Sequence, residues 1–509
     1  MSKKWLVVQV SLAGLLLLLV GVLQAAAAVP CDVRVNDNPR KLLECVAVEG
    51  VRAHQAALQA IADANGGIRT SGTPGYDASV DYVVDQMEAA GYRVTVQPFD
   101  YLAFIRLGPS TLEQTAPGAV TYVEGVDYAL MDQTDAGDVT ATVTPVDLQL
   151  FLGNNSTSGC EAGDFVGFPA GNIALMQRGT CTFQLKAENA AAAGAVGAIV
   201  FNQGNTEGRK ALFVGTLTAA YTGGIPVFSA PYDRGVEWAG TAGLVLHMFA
   251  DTFRGQATTY NVLAETTSGN PNNVVMAGAH LDSVDTGPGI QDNGSGSAAL
   301  IEIARQLAKV KPRNMVRFAW WGAEEAGLVG STFYVNSLSP DELPRIALYL
   351  NFDMIGSPNF VRFVYDGDNS DTAGTNPPGS GVLEQLFLDY FNARGLPIEP
   401  TEIGSRSDHA AFRDAGIPIG GLFTGAEGIK TPAQVAVYGG TAGIQYDPCY
   451  HQACDTFDNI SLVALDQNSD AAAFAILSWG MNTQALNGVK GKGNFKREPG
   501  DQLGPLFVR

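Results

Sequence analysis

Positive charge is in short supply. Lys and Arg number 31 against 51 Asp and Glu, for a formal net charge of −20, and so acidic a chain repels the phosphate backbone of nucleic acid. Nucleic-acid binding is excluded as a first reading. Charged residues of both signs make up only 16% while hydrophobic ones reach 46%, which excludes a disordered chain and leaves a globular one able to bury a core. No G-x-S-x-G string occurs, so a serine hydrolase would lack its nucleophile turn. Cysteine is sparse, and none of the six has the paired C-x-x-C spacing of a structural zinc site. Histidine is rarer still, with five in 509 residues: His54, His247, His280, His409 and His451.

What is present begins with a targeting segment. Lys3 and Lys4 precede an apolar run from Trp5 to Leu23, and Ala25 to Ala28 supply small residues for a signal peptidase. Residues 1–28 read as a cleaved export signal; the alternative is an uncleaved anchor, because the run approaches the ~20 residues that span a bilayer. Pro30 before Cys31 makes a poor lipobox. The expected product is secreted and extracellular, without stable membrane association after cleavage. An even cysteine count behind an export signal favours disulfides. Of the fifteen connectivities six cysteines allow, the expected one is sequence-local: Cys31 with Cys45, Cys160 with Cys181, Cys449 with Cys454.

Length allows two to four domains at roughly 100–200 residues each. Apolar spacing of three and four predicts two helices between Val51 and Gly91, separated by the turn G-G-I-R-T-S-G-T-P-G, then a strand near Tyr92 to Phe99. From about 115 to 255 the pattern changes to short β-branched runs, glycine-rich turns and one alanine-rich helix near Ala187 to Ala193. Alternation of strand and helix resumes at Thr258, which indicates an insertion. N-N-V-V-M-A-G-A-H, M-V-R-F-A-W-W and I-A-L-Y-L-N-F-D read as buried strands, S-G-S-A-A-L-I-E-I-A-R-Q-L-A as a helix, and Asp466 to Trp479 as the last helix. Apolar strands alternating with helices predict an α/β fold with a mostly parallel central sheet covered on both faces.

The chemistry-bearing residues sit at the carboxyl ends of those strands. His280 ends the first, Asp292 follows in a loop, Glu324 and Glu325 follow the second, and Asp353 ends the third. That edge is where ligands bind in open α/β sheets. His451 lies in the short loop C-Y-H-Q-A-C. Two imidazoles and three carboxylates suit zinc, and one carboxylate can bridge two ions ~3.5–4 Å apart. The expected site holds two zinc ions: Asp292 bridges, His280 and Asp353 complete one ion, and Glu325 and His451 the other. Glu324, left off the metal, is the expected general base that takes a proton from a zinc-bridged hydroxide and passes it to the leaving amine. Asp282 is placed to accept the second N–H of His280.

Five strings, G-A-H-L-D-S-V (278–284), G-I-Q-D-N-G-S-G (289–296), W-W-G-A-E-E-A-G-L-V-G-S (320–331), N-F-D-M-I-G (351–356) and C-Y-H-Q-A-C-D (449–455), closely resemble the secreted and vacuolar di-zinc aminopeptidases of the aminopeptidase Y and bacterial leucyl aminopeptidase type. The resemblance covers about 51–115 and 258–485. It puts the family's metal ligands on His280, Asp292, Glu325, Asp353 and His451, and its base on Glu324. It also implies Tyr450 as donor to the developing oxyanion, Arg406 near the substrate's amino end, a cis peptide after Asp292, and an apolar S1 pocket including Met354 and Phe423. Some bacterial relatives bind calcium; Asp466 and Asp470 match the C-terminal half of such a site, whereas Cys45 stands where its N-terminal acid is expected. M-Q-R-G-T-C-T-F-Q-L-K-A (176–187) and A-A-A-A-G-A-V-G-A-I-V-F-N (190–202) resemble a protease-associated (PA) domain.

The resulting expectation is a zinc exopeptidase-like domain of residues 29–114 and 256–487, interrupted by an α/β PA insert at 115–255 and followed by a mobile tail at 488–509. Its function is expected to be hydrolysis, by a monomer, of the N-terminal peptide bond of peptides with a free N-terminus, with preference for large apolar residues such as Leu. The alternatives are a carboxypeptidase or dipeptidase of the same fold, and a non-catalytic receptor-like binding protein. His247, within the insert, is expected to pack on a strand, and His54 and His409 are not assigned to metal.

Overall fold

The computed structural model describes residues 30, 31 and 33–489. The export signal expected at 1–28 and the tail beyond Val489 lie outside the described residues. No helix among the described residues is long and apolar enough to cross a membrane.

The apolar runs form the middle of an eight-stranded sheet. Its order is Arg93–Arg106, Thr252–Glu265, Asn314–Trp321, Asn270–His280, Ile346–Phe352, Ile419–Phe423, Phe363–Tyr365, Glu399–Thr401. The four strands from Asn314–Trp321 to Ile419–Phe423 in that order are parallel. Antiparallel pairing attaches Thr252–Glu265 on one side and Phe363–Tyr365 on the other. Every residue of Ile346–Phe352 is buried, as a strand covered on both faces requires. Successive side chains point to opposite faces: Val275, Ala277 and Ala279 join a core with Leu58, Ile301 and Ile476, while Met276 joins one with Trp321, Tyr334 and Phe412. The first core is built against the helices Val48–Ala64, Pro74–Ala89, Gly294–Leu307 and Leu462–Met481. His54 belongs to this packing, with Nδ1 2.6 Å from the Tyr82 hydroxyl and Nε2 3.3 Å from Glu302 Oε2.

Strand Asn270–His280 lies between Asn314–Trp321 and Ile346–Phe352, so the chain leaves it to one side and later returns on the other. Such a reversal opens a crevice at the carboxyl ends of the strands. Helix Gly294–Leu307 begins there, capped by the Asn293 side chain, which accepts from the Gly296 N–H at 3.0 Å. The approach is close: a Cβ at Gly296 would stand 2.0 Å from the Phe352 carbonyl oxygen.

A second eight-stranded sheet is built from residues 111–250. Strand Thr111–Ala116 already pairs with Val245–Ala250, slightly ahead of the transition expected at 115. The strands Gly137–Pro145, Ile173–Gln177, Gly197–Phe201 and Val227–Ala230 are parallel neighbours. The alanine-rich helix runs Phe183–Ala192, earlier than its alanines suggest, because Thr182 caps it by accepting from Leu185 N–H. Ala187 and Ala190 are fully buried, small enough to bring the helix onto the sheet. His247 is half-buried on the strand Val245–Ala250, which is paired on both sides, its Nε2 2.8 Å from Asp138 Oδ1.

Both passages between the sheets run through one antiparallel ribbon, in which Arg93–Arg106 pairs with Thr252–Glu265 along its full length. This is why the strand expected at 92–99 extends to Arg106. Its distal half alternates, burying Phe99, Tyr101, Ala103 and Ile105 against Ala323. The three disulfides pair Cys31 with Cys45, Cys160 with Cys181 and Cys449 with Cys454.

Replacing Gly296 with Ala must push the helix off the strand that ends beside Asp353. Overpacking of this kind costs about 1–3 kcal/mol, so Gly296→Ala should lower the midpoint of urea unfolding without changing the m-value; an unchanged midpoint would show that the contact is slack.

Candidate metal centre and active site

The strand ends bring five side chains of the ligand set together. His280 Nε2 lies 3.2 Å from Asp292 Oδ1 and 3.2 Å from Asp353 Oδ1. On the other side of Asp292, Oδ2 is 3.3 Å from His451 Nε2, which is itself 3.1 Å from Glu325 Oε2. The two oxygens of one carboxylate thus face two separate donor pairs. Ligand atoms ~2.0–2.1 Å from a tetrahedral zinc stand roughly 3.3 Å apart, so each of these four contacts has the spacing of two donors on one ion. Donor atoms of His280, Asp292 and Glu325, as well as of His280, Glu324 and Asp353, all lie within 4.8 Å of one another. The Oε1 atom of Glu325 is buried without a hydrogen-bond partner. Nitrogen and carboxylate donors at these separations fit zinc.

Local structure explains the placement. The peptide bond between Asp292 and Asn293 is cis, and the Asp292 N–H donates to Asp455 Oδ2 at 3.0 Å, while Gln291 N–H donates to Asp455 Oδ1 at 2.9 Å. Ser407 Oγ donates to Asp353 Oδ2 at 2.6 Å, leaving Oδ1 for His280. His451 has φ of +56°, a left-handed conformation uncommon for a non-glycine residue, held within the loop closed by Cys449 and Cys454. Its carbonyl accepts from Thr286 Oγ1 at 2.9 Å.

Asp282 is fully buried beside His280 but divides its attention. Its carboxylate accepts the backbone N–H groups of Glu324 and Glu325, both at 3.3 Å. The His280 Nδ1 atom is 3.7 Å from Asp282 Oδ1 and 3.2 Å from the Asp282 main-chain carbonyl. The residue therefore ties the turn bearing Glu324 to the loop after His280 as well as flanking the imidazole.

The charges are strongly unbalanced. Burial raises Glu324 well above the ordinary glutamate range, with help from Glu325 and Asp353, and burial together with Asp292 raises Glu325 to about 7. Burial would raise Asp292 too, but hydrogen bonds from His280 and His451 hold it well below the usual carboxylate range. Conversely, burial would lower His451, yet Asp292 and Glu325 lift it to about 10. Such values describe more negative charge than two imidazoles neutralise, the imbalance that a divalent cation removes.

The cluster floors a cavity of about 170 Å³ whose walls include Met354, Tyr365, Phe423 and Ala426. Glu324 lies 4.0 Å from His280 Nε2, 8% exposed, on the cavity surface. The Tyr450 ring stacks on His451 with centroids 3.9 Å apart. Arg406 is at the rim, its guanidinium paired with Glu427 at 2.8 and 3.2 Å and 3.4 Å from the Tyr450 hydroxyl. His409 also lines the cavity; burial lowers it to about 4, and its Nε2 faces the Gly404 carbonyl at 2.9 Å. Asp466 and Asp470 are on helix Leu462–Met481, apart from this cavity. Asp470 keeps one buried oxygen without a hydrogen-bond partner, and burial with the charge of Glu49 raises Asp466.

Ser407, Asp455, Tyr365 and Glu427 are participants that spacing did not single out. Asp455 stands inside the string C-Y-H-Q-A-C-D, four residues after the expected ligand His451, which is a usable signal, and Ser407 stands in G-S-R-S-D-H beside Arg406. Tyr365 and Glu427 carry no local signal.

Comparison with known proteins gives Peptidase family M28 over residues 261–476 and the PA domain over residues 139–238. An aminopeptidase of Pseudomonas aeruginosa is 58% identical over 442 residues, covering 87% of this chain and 82% of the relative. Leucine aminopeptidase 2 of Trichophyton rubrum is 46% identical over 325 residues, 63% of this chain and 65% of the relative. Among solved structures, an aminopeptidase from Aneurinibacillus sp. strain AM-1 superposes with a TM-score of 0.60 at 26% identity, covering 91% of this chain and 98% of the other. A zinc aminopeptidase from Bacillus subtilis gives a TM-score of 0.60 at 25% identity, over 85% and 95% of the respective chains. With this kinship running through most of both chains, the protein belongs to peptidase family M28 and carries a PA domain within it.

Proposed function

We propose that the chain is a secreted di-zinc aminopeptidase that removes large apolar N-terminal residues, such as Leu, from peptides with a free N-terminus. The observation that carries this reading is the division of Asp292, one oxygen toward His280 and Asp353 and the other toward His451 and Glu325. In this reading His280, Asp353 and Asp292 would hold one zinc, and Glu325, His451 and Asp292 would hold the second. When bound, zinc supplies Lewis acidity toward a carbonyl oxygen and makes a water acidic at neutral pH.

The remaining work falls to the chain's own side chains. Glu324 accepts the proton of the attacking water at its carboxylate and returns it to the leaving amine. Tyr450 donates its hydroxyl hydrogen to the carbonyl oxygen as that atom gains negative charge. Met354 and Phe423 receive the N-terminal side chain, and an apolar one is favoured because a charged one would be desolvated there without a partner. Carboxylates, Glu324 among them, receive the free amine, and Arg406 with Glu427 borders the place where it enters. Kinship with the Pseudomonas aminopeptidase and the Trichophyton leucine aminopeptidase supports aminopeptidase action, and likeness to the Bacillus zinc aminopeptidase supports zinc.

Residues 29–114 and 256–487 form the peptidase unit in this reading, and 115–255 the PA insert. Three disulfides support an oxidising destination. A probable lipoprotein aminopeptidase of Mycobacterium tuberculosis, 41% identical over 461 residues, makes a membrane-anchored form the outcome to test against, and fractionation of the producing cells separates the two.

Glu324→Gln should retain two zinc ions per chain by elemental analysis while kcat on leucyl p-nitroanilide falls by roughly 10²–10⁴; near-normal turnover would remove Glu324 from its role. Tyr450→Phe should lose about 10²–10³ in kcat with little change in KM, whereas a raised KM with kcat unchanged would assign Tyr450 to binding alone. Free-amine Leu-Gly-Gly should be cleaved and its N-acetylated form left intact when product amines are measured. Cleavage of the acetylated peptide from its carboxyl end would instead identify a carboxypeptidase.

A further inference from the structure

The turn G-G-I-R-T-S-G-T-P-G, at residues 66–75, has no part in the chemistry described so far, yet it contains an arginine that is 0% exposed. Arg69 has no carboxylate among its hydrogen-bond partners. Its guanidinium donates to three main-chain carbonyls: Leu281, Pro288 at 2.9 Å and Gly289 at 2.6 Å. Those carbonyls belong to the loop that leaves His280 and arrives at Asp292. The same turn holds that loop by its backbone and neighbouring side chain. Arg69 N–H donates to Ser283 Oγ at 2.9 Å, Ser283 N–H returns to the Arg69 carbonyl at 3.3 Å, and Thr70 Oγ1 donates to the Val284 carbonyl at 2.9 Å. Two residues on, Ser71 Oγ accepts from the Ala323 N–H at 2.7 Å, immediately before Glu324.

Burying a cation without an adjacent anion is costly, and an apolar side chain would usually fill such a space more cheaply. Two features of the surroundings account for the arginine. Its planar fork reaches several carbonyls at once, which neither lysine nor an apolar residue does. Its charge also acts on Asp282, Asp455 and Asp292, the acids that line the loop and its supports. Burial lowers its pKa to about 10, so it stays charged at neutral pH.

We infer that Arg69 is a positioning residue for the metal centre: by clamping the loop between His280 and Asp292, it holds those two ligands at coordinating distance before any ion arrives. The inference rests on the di-zinc reading. Arg69 touches neither substrate nor ligand atoms, so its effect passes through the loop carbonyls. Ser283 and Ser71 complete the clamp, the first on the same loop and the second on the turn that presents Glu324 and Glu325.

The test measures zinc dissociation constants by competition with a chromophoric chelator, well below the melting temperature, for the full chain and the variants Arg69→Lys, Arg69→Met and Ser283→Ala. Trp238→Phe, in the insert, serves as a control for lost stability, since it removes the indole bond to the Tyr122 hydroxyl and part of a buried ring from the insert's own core. Outer-shell partners of metal sites typically cost about 10–100-fold in affinity when removed. Arg69→Lys, which keeps the charge and loses the fork, should weaken zinc binding by about that factor, Arg69→Met by more, and Ser283→Ala measurably, while Trp238→Phe binds zinc as the parent does. With zinc saturating, KM for leucyl p-nitroanilide should stay within about threefold in Arg69→Lys. Parental zinc affinity in both Arg69→Lys and Ser283→Ala overturns the inference even if their melting temperatures fall, because a purely structural arginine would produce that pattern. Should the arginine variants fail to fold, Ser283→Ala decides by the same criterion. A parent protein that binds no zinc overturns the di-zinc reading and this inference with it.

Discussion

Mutual repulsion among carboxylates is the constraint around which this molecule is arranged. Asp282, Asp292, Glu324, Glu325 and Asp353 crowd one sheet edge, all of them buried or nearly so. Like charges at such separations cannot all ionise unaided. Each neighbouring element answers in part: His280 and His451 from the strand end and the disulfide loop, Arg69 from an early turn, and the main-chain N–H groups of Glu324 and Glu325. The balance is still short of positive charge, a shortage that a divalent cation would remove.

How much of this could be read from the sequence depends on what kind of information each residue carries. The strands ending at His280 and Asp353 were legible because an apolar run followed by one polar residue marks a strand reaching the carboxyl edge, and the edge itself defines the crevice. The distribution of ligands around Asp292 depends on which of its oxygens turns which way, and no spacing encodes that. Asp282 could be seen as a neighbour of His280, two residues away, but its grip on the turn at Glu324 joins segments 42 residues apart. Glu427 and Tyr365 came into view only with the tertiary structure, since nothing in their flanking residues differs from an ordinary loop or strand.

Boundaries followed the same logic. The ribbon strand beginning at Arg93 was recognisable near Tyr92 to Phe99, where apolar and polar residues alternate. Its continuation D-Y-L-A-F-I-R is a short apolar run that periodicity alone assigns to no element, and pairing with residues about 150 positions later makes it strand. The alanine-rich helix was placed by its alanines, while its true start is set by the Thr182 side chain. In each case periodicity gave the element and a distant or capping contact gave its end.

The ribbon has one further consequence. Outgoing and returning segments of the chain lie side by side along Arg93–Arg106 and Thr252–Glu265, so the interposed unit is attached through a single stem with adjacent ends. A module mounted in this way can be exchanged, trimmed or enlarged over evolutionary time while the hydrolytic half keeps its register, because whatever is grafted onto the stem need only bring its own two termini within one interstrand spacing of each other.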